Sequence, residues 1–192
     1  MHYRSATAAD APAMAALFAA NHHDVLTERE RSEQGFVQGA LDEAALRSMA
    51  DAGGLLVADD GGDLAGLLGL IPPESMPEPP PPVLALLGAQ DSLRWRGRPL
   101  RSARWLLYGP VVVAAAHRGK GVARGLFATA IEAASGRADV VVAFIEMTNR
   151  ASWRVHVDGF GMTPLGEVVT EGRSYGVVGA AAAAERPVRP GS

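Results

Sequence analysis

The segment VVVAAAHRGKGVARGLF, residues 111–127, most constrains the fold because it joins three kinds of local structure. An apolar β-type run leads into a corner with glycines and basic side chains, and helix-forming sequence follows. We predict a strand that ends near Val113 and a helix over about residues 121–134. A strand-to-helix turn directs free backbone N–H groups and the positive end of the helix dipole to one point. The corner is therefore predicted to bind an anion such as phosphate.

The remaining apolar pattern predicts a mixed sheet. The run VVVAFIE over residues 140–146 is continuous and suits a central strand buried on both faces. Two hairpins are predicted, one with its turn at residues 60–62 and one around residues 171–172. Helices are predicted after the first strand and over about residues 42–52. This order of elements indicates an α/β (α+β) fold, a mixed sheet flanked by helices.

The length of 192 residues predicts a single domain over residues 1–179. A proline-rich insertion is predicted within it, at about residues 72–104. Seven prolines lie between Pro72 and Pro82, and this stretch is predicted to form polyproline II rather than helix or central strand. The tail over residues 180–192 is predicted to be disordered.

Composition limits the partners and the chemistry. A formal net charge of −3 gives no reason to expect nucleic acid or an anionic membrane as the main partner. The start of the chain lacks the apolar segment of a signal peptide, and no apolar run is long enough to cross a bilayer, so we expect a cytoplasmic protein without membrane contact. The absence of cysteine excludes an acyl-cysteine intermediate, and no metal site is expected.

Several interpretations of the glycine corner compete. A Walker loop fails, because Lys120 is followed by Gly121 and no Ser or Thr comes next. A dinucleotide fingerprint starts well at Gly119, and Asp139 lies about where a ribose-binding acid would stand. However, Arg124 occupies the position of the third glycine, which must be small for helix packing. An ordinary glycine-rich turn with solvated arginines is the remaining alternative.

The six residues from Arg118 to Ala123 resemble the Arg/Gln-x-x-Gly-x-Gly/Ala pyrophosphate loop of the GNAT superfamily of acyl-CoA N-acyltransferases. The resemblance covers most of the chain apart from the insertion and the tail. It implies a mostly antiparallel sheet that splays open at the cofactor site, and acetyl-CoA or another acyl-CoA as co-substrate. The cofactor-binding positions that it implies are Val111, Val112, Val113, Arg118, Gly119, Lys120, Gly121, Val122, Ala123, Asn149 and Ser152.

A second motif, EMTNRASWRVHVDGF, supports this resemblance. Asn149, Ser152 and His156 are spaced to share one helical face. In the superfamily this helix flanks the pantetheine arm, and a tyrosine seven residues after the Asn often protonates the departing thiolate. His156 occupies that position and is the predicted proton donor, with Tyr108 and Tyr175 as alternatives. A plain N-cap for Asn149 and a helix-surface position for His156 are the structural alternatives.

The predicted activity is direct transfer of an acetyl or acyl group from acyl-CoA to an amine in a ternary complex. The acceptor is a small-molecule or protein amine, and it must lose a proton before it attacks, since a lysine-like amine has a pKa of about 10.4. Glu146, at the end of the central strand, is the candidate group to assist, or else a strand-end cap. The alternatives are a catalytically silent acyl-CoA-binding module and a dinucleotide-binding protein. A homodimer through the final strands or the insertion is a further expectation.

Overall fold

The structure is a computed structural model that describes residues 1–76 and 78–182. Within these residues three helices follow the first strand, strands and single helices make up the middle, and two strands end the chain's described part. The strands are β1 His2–Ser5, β2 Leu55–Asp60, β3 Asp63–Ile71, β4 Arg94–Trp95, β5 Arg98–Pro99, β6 Trp105–Val113, β7 Val140–Glu146, β8 Thr163–Thr170 and β9 Arg173–Ala181.

The helices of the described residues flank the sheet formed by these strands. They are α1 Ala11–Ala20, α2 Glu28–Gln34, α3 Glu43–Asp51, α4 Pro81–Gly88, α5 Val122–Ala134 and α6 Arg150–Trp153. Helix α6 continues as a π-type helix over Arg154–Gly159.

Strands from both ends of the chain meet in one seven-stranded sheet with the order β1-β2-β3-β6-β7-β9-β8, and β4 and β5 form a separate small hairpin. Strands β6 and β7 pair in parallel, and the other pairings within the sheet are antiparallel. The turns of the two predicted hairpins lie between β2 and β3 and between β8 and β9. The predicted fold class is therefore confirmed.

The sheet opens between the second halves of β6 and β7. These strands pair only as far as Leu107 and Val142, although both continue beyond that point. On its other edge β6 has a bulge, where Gly109 and Pro110 lie opposite the single residue Gly69 of β3. A Cβ atom on Gly69 would lie 2.4 Å from the carbonyl oxygen of Gly109, so this close approach requires glycine. The opening leaves one edge of β6 without a neighbouring strand.

Strand β7 is buried on both faces, as its continuous apolar run predicts. Side chains alternate along a strand, so Val141 and Ile145 pack in the core beside α5. Val140 and Val142 point to the other face, into a second core built with α4. A third core lies between α1, α3 and the first strands of the sheet.

The insertion between β3 and β6 contributes to the second core. Helix α4 begins with Pro81 and Pro82, so the prediction that the proline stretch contains no helix is wrong there. Proline is tolerated in a first helical turn, where no N–H bond is lost and its fixed φ suits the helix. Val83, Leu86 and Leu100 of the insertion are each at most 1 % exposed. This segment therefore covers one face of the sheet.

The last strand extends further than predicted. Ala180 and Ala181 belong to β9 and lie opposite Val141 and Val140 of β7. Backbone pairing with the central strand β7 holds these two residues in the sheet, so the predicted start of disorder at residue 180 is too early. The rest of the predicted tail, residues 183–192, lies outside the described residues.

Candidate functional site

A groove of about 470 Å³ lies beside the open edge of β6. Its walls come from segment 33–37, the end of β6, the glycine loop with the first turn of α5, and helical segment 151–160. The residues predicted from sequence that line it are Val111, Val112, Val113, Arg118, Gly119, Gly121, Val122, Ala123, Ser152 and His156. Lys120, Glu146 and Asn149 do not line it.

The glycine loop has the backbone conformation that its sequence predicts. Gly119 and Gly121 have φ values of 71° and 81°, in the left-handed region, and a Cβ atom on either would meet nothing within 4 Å. The N–H of Gly125 donates to the carbonyl of Gly121 at 3.0 Å and starts the α5 ladder. The N–H groups of residues 122–124 therefore precede the ladder and have no intrahelical acceptor. They can serve an anion in the groove.

Arg118 is a partly buried cation at the start of this loop. Its guanidinium donates to Oδ1 of Asn21 at 2.6 Å and to Oε1 of Gln34. Both acceptors are neutral amides, and burial lowers the pKa of Arg118 from its usual value. Arg118 thus joins the loop to the ends of α1 and α2, while its charge is not neutralised by a hydrogen-bonded carboxylate.

The other basic side chains near the loop differ in how they are held. Lys120 is exposed. Arg124 donates to a backbone carbonyl of the π-type helix at 3.0 Å, and its guanidinium carbon lies 5.6 Å from the ring centre of Phe160. His117 donates from Nε2 to the Asp60 carboxylate at 3.2 Å. Arg124 and His117 therefore place positive or titratable groups in the groove wall in fixed positions.

The open edge of β6 presents backbone groups to the groove. The N–H of Ala114 donates to the carbonyl of Ala65 at 2.9 Å, so the backbone polar groups of Ala114 point toward β3. Backbone polar groups alternate between the two edges of a strand, so those of Val112 also point toward β3. The N–H and C=O groups of Val111 and Val113 therefore point to the side from which β7 has diverged. This edge can pair with an extended chain that contains amide groups.

His156 is a buried histidine in the groove wall, with 7 % of its surface exposed, so the helix-surface alternative is wrong. Its Nδ1 donates to the carbonyl of Ser152 at 2.8 Å. Because a carbonyl only accepts, the proton lies on Nδ1, and Nε2 of the neutral ring is an acceptor. Burial lowers the pKa of His156, against a smaller opposing effect of the Ser152 carbonyl. The imidazole is therefore held neutral.

Asn149 is the N-cap of α6, as the structural alternative proposed. Its Oδ1 accepts from the N–H of Ser152 at 3.2 Å, and its Nδ2 donates to the carbonyl of Phe36 at 3.0 Å. These bonds tie the groove wall at segment 33–37 to the helix that carries His156. The contact of Asn149 with a cofactor stays a prediction.

Glu146 lies on the face of β7 opposite α5, since it alternates with Ile145, which packs beside α5. Its carboxylate accepts from Nε2 of Gln38 at 2.5 Å and from the Thr148 hydroxyl at 2.8 Å, and Arg173 lies 3.4 Å away. The side chain is 13 % exposed. The predicted base is therefore part of a polar cluster across the opened sheet from the groove.

Tyr175 belongs to the same cluster. Its hydroxyl donates to Oε1 of Gln38 at 3.4 Å. Burial raises the pKa of Tyr175, and the negative charge of Glu146 raises it further. The hydroxyl therefore stays protonated and remains a hydrogen-bond donor at neutral pH.

The wall formed by α2 and segment 33–37 is not among the sites predicted from sequence. The sequence contains one indication of α2, because the spacing of Thr27 and Glu30 matches a capping box, and the structure has this capping box at the start of the helix. Asn21 and Gln34 were also missed as partners of Arg118. They lie 97 and 84 residues from it along the chain, so no local pattern marks them.

A sheet that opens between two parallel strands, with a glycine loop and a helix N-terminus at the opening, matches the architecture implied by the GNAT resemblance. The chain belongs to the acetyltransferase (GNAT) family, whose sequence profile matches residues 21–162. No curated protein sequence matches the chain significantly.

Solved structures support the fold. A putative acetyltransferase from Salmonella typhimurium, yncA, described with its cofactor acetyl-CoA, is 20% identical, with 98% of each chain covered and a TM-score of 0.62. The ribosomal-protein-alanine N-acetyltransferase of Brucella melitensis is 24% identical, with a TM-score of 0.61 over 94% of this chain and 99% of that one. Diaminobutyrate acetyltransferase EctA of Paenibacillus lautus, in complex with L-2,4-diaminobutyric acid and coenzyme A, is 16% identical, with 93% of each chain covered and a TM-score of 0.54.

Two further features are absent from the described residues, 1–76 and 78–182. None of the helices there has the length and apolar character needed to cross a membrane. The same residues contain no group of three or more His, Cys, Asp or Glu side chains placed to hold a metal ion.

Proposed function

We propose that the protein transfers an acetyl group from acetyl-CoA to an amine acceptor, directly and within one ternary complex. The observation that carries this proposal is the groove, where the glycine loop, the unpaired edge of β6 and His156 line one space. Membership of the GNAT family supports it. One neighbour of the same fold is described with acetyl-CoA, and another with coenzyme A and an amine substrate.

The residues fit such a cofactor part by part. The backbone at Gly119 and Gly121 is open to close approach, and with the N–H groups of residues 122–124 it would hold the pyrophosphate. Arg118 would supply positive charge. The unpaired edge of β6 would pair with the amides of the pantetheine arm, and an N–H on that edge would polarise the acyl carbonyl. When bound, the cofactor supplies the acyl group as a reactive thioester.

Two side chains would handle the protons of the reaction. The acceptor nitrogen loses two protons between ammonium and amide while its bond to the acyl carbon forms and the carbon–sulfur bond breaks. We assign the first proton to Glu146, on the side of the sheet opposite the groove. We assign the second to Nε2 of His156, which is an acceptor in the neutral ring and returns this proton to the departing sulfur. Direct transfer is supported by the absence of cysteine from the chain.

Thermal unfolding with acetyl-CoA, CoA and NAD tests the cofactor. A ligand at a hundred times its dissociation constant stabilises the folded state by about 2.7 kcal/mol, which is roughly 5–10 °C for a protein of this size. We expect this shift with both CoA species and none with NAD. The absence of any shift with saturating acetyl-CoA and CoA would contradict the proposal.

Turnover is tested by release of free CoA thiol with a panel of primary amines, and by the mass of the acetylated product. His156→Ala and Glu146→Gln are expected to lower the rate by about 10²-fold or more while acetyl-CoA still binds. Stabilisation by CoA without turnover on amines or peptides would instead support the silent acyl-CoA-binding module.

A further inference from the structure

Arg118 is a partly buried cation whose hydrogen-bond partners are both neutral. Its guanidinium donates to the side-chain oxygens of Asn21 and Gln34, and all three residues line the groove. A charge that is removed from water is destabilising unless an opposite charge or a polar partner compensates it, and a carboxylate is the usual partner of a buried arginine. Among the described residues the charge of Arg118 is not balanced in this way, and it borders a space that can admit an anion.

Two carboxylates of α2 are bonded to other groups. The charge of Glu30 raises the pKa of Arg118, against a larger lowering effect of burial. The Glu30 carboxylate nevertheless accepts from the N–H and the hydroxyl of Thr27, in the capping box of α2. The Glu33 carboxylate accepts from Nε of Arg29 at 2.8 Å. Helix α2 therefore offers Arg118 an amide and keeps these two acids bonded elsewhere.

Gln34 is held beside Arg118 by the way in which α2 ends. It is the last residue of the helix, and the N–H of the following Gly35 donates to the carbonyl of Arg31 at 3.1 Å. Gly35 has a φ of 77°, and a Cβ atom there would lie 2.9 Å from Oδ1 of Asn149. Glycine thus lets α2 end in close contact with α6, and the position of Gln34 in the groove wall is specified by the fold.

The side-chain amide of Asn21 has one orientation. Its Nδ2 donates to the carbonyl of Leu17 at 2.9 Å, and a carbonyl only accepts. Oδ1 is therefore the atom that accepts from Arg118, at 2.6 Å. The backbone carbonyl of Asn21 also accepts from the N–H of Val37 at 3.0 Å, which joins the end of α1 to segment 33–37. Both acceptors of Arg118 are thus fixed by bonds or turns of their own.

We propose that Asn21 and Gln34 are positioning residues for the cofactor, which hold Arg118 in the groove wall by neutral acceptors and leave its full charge for the pyrophosphate of CoA. A guanidinium carries more donors than these two bonds use, so others remain for the anion. A carboxylate in place of either amide would bind Arg118 more strongly and would cancel its charge. This inference rests on the proposed function, because it concerns the binding of CoA.

Gln34→Glu and Gln34→Met test the proposal, because both replacements are close to glutamine in length. Glutamate keeps the bond to Arg118 and adds a charge, whereas methionine removes the bond and adds no charge. We expect Gln34→Glu to weaken CoA binding at least tenfold in isothermal titration calorimetry, and Gln34→Met to weaken it by a smaller factor. If Gln34 only fixed the shape of the loop, the order would be reversed, because glutamate preserves the hydrogen bond.

Ser32→Glu is the matched control for the added charge. Ser32 is exposed on the same helix and does not line the groove. At an ionic strength of about 0.15 M its variant is expected to bind CoA within about twofold of the wild type. Equal weakening in Ser32→Glu and Gln34→Glu, or an affinity of Gln34→Glu that matches or exceeds that of Gln34→Met, would overturn the proposal. A wild-type protein that binds no CoA in the parallel titration would instead refute the proposed function.

Discussion

Replacing Gly121 with alanine tests whether the backbone of the loop holds the cofactor. Gly121 has a φ of 81°, and a Cβ atom there would meet nothing within 4 Å. The folded protein therefore loses stability only through the left-handed backbone, which costs about 1–2 kcal/mol for a residue other than glycine. The thermal midpoint is expected to fall by roughly 2–8 °C.

The effect on binding separates this loop from an ordinary turn. The added methyl group would occupy space that a pyrophosphate needs for close approach to the loop N–H groups. We expect Gly121→Ala to weaken CoA binding by at least tenfold, which is about 1.4 kcal/mol. Isothermal titration calorimetry with CoA measures this directly.

Gly136→Ala is the matched control. Gly136 follows helix α5, has a φ of 77°, and is equally open around its Cβ position, but it does not line the groove. It should lose similar stability and bind CoA like the wild type. Wild-type affinity in Gly121→Ala, or an equal loss of affinity in both variants, would refute the assignment of the pyrophosphate to this loop.

Three further predictions follow from other parts of the structure. Arg118→Ala should weaken CoA binding at least tenfold in calorimetry, and a wild-type affinity would contradict its role. Leu86→Ala should lower the free energy of unfolding, measured in urea, by about 2–5 kcal/mol. The control Leu84→Ala, at a position 54% exposed on the same helix, should have little effect. Equal losses in the two variants would argue against a core role for the insertion. The Arg4 guanidinium holds the pKa of Asp10 well below its usual 3.8, so its stabilisation is present above that pH and is lost as pH falls below it. Asp10→Asn should therefore lower the thermal midpoint at pH 7 and flatten its decline in acid, and an unchanged acid dependence would exclude this ion pair as a cause.

The parts of the fold that sequence predicted are those specified by short-range chemistry. The continuous apolar run of β7 suits a strand buried on both faces, and its predicted bounds, residues 140–146, match those of the strand in the structure. The glycine loop was predictable for the same reason, since Gly119 and Gly121 are needed locally for left-handed backbone before a helix. Such features depend on neighbours in sequence and not on the rest of the chain.

The insertion shows where such local reasoning fails. Prolines disfavour a helix interior, but Pro81 and Pro82 occupy the first turn, where their effect is favourable. The stability of α4 comes from burial of Val83 and Leu86 against the far side of the sheet. That packing is tertiary, and no pattern of prolines reveals it.

The groove and the polar cluster of Gln38, Glu146 and Tyr175 differ in the same way, as local and long-range features of the fold. The groove uses backbone N–H groups, whose position depends on the glycines of the loop and on the start of the next helix, and both are visible in the sequence. The opposite cluster depends on side chains brought together by the sheet: Gln38 lies 108 residues from Glu146 and 137 from Tyr175. We expect substitutions in this cluster to change which amine is accepted, while CoA binding is retained. Family membership therefore predicts the acyl donor much better than the acceptor, because the groove is built largely from backbone, whereas the opposite cluster is built from side chains distant in sequence.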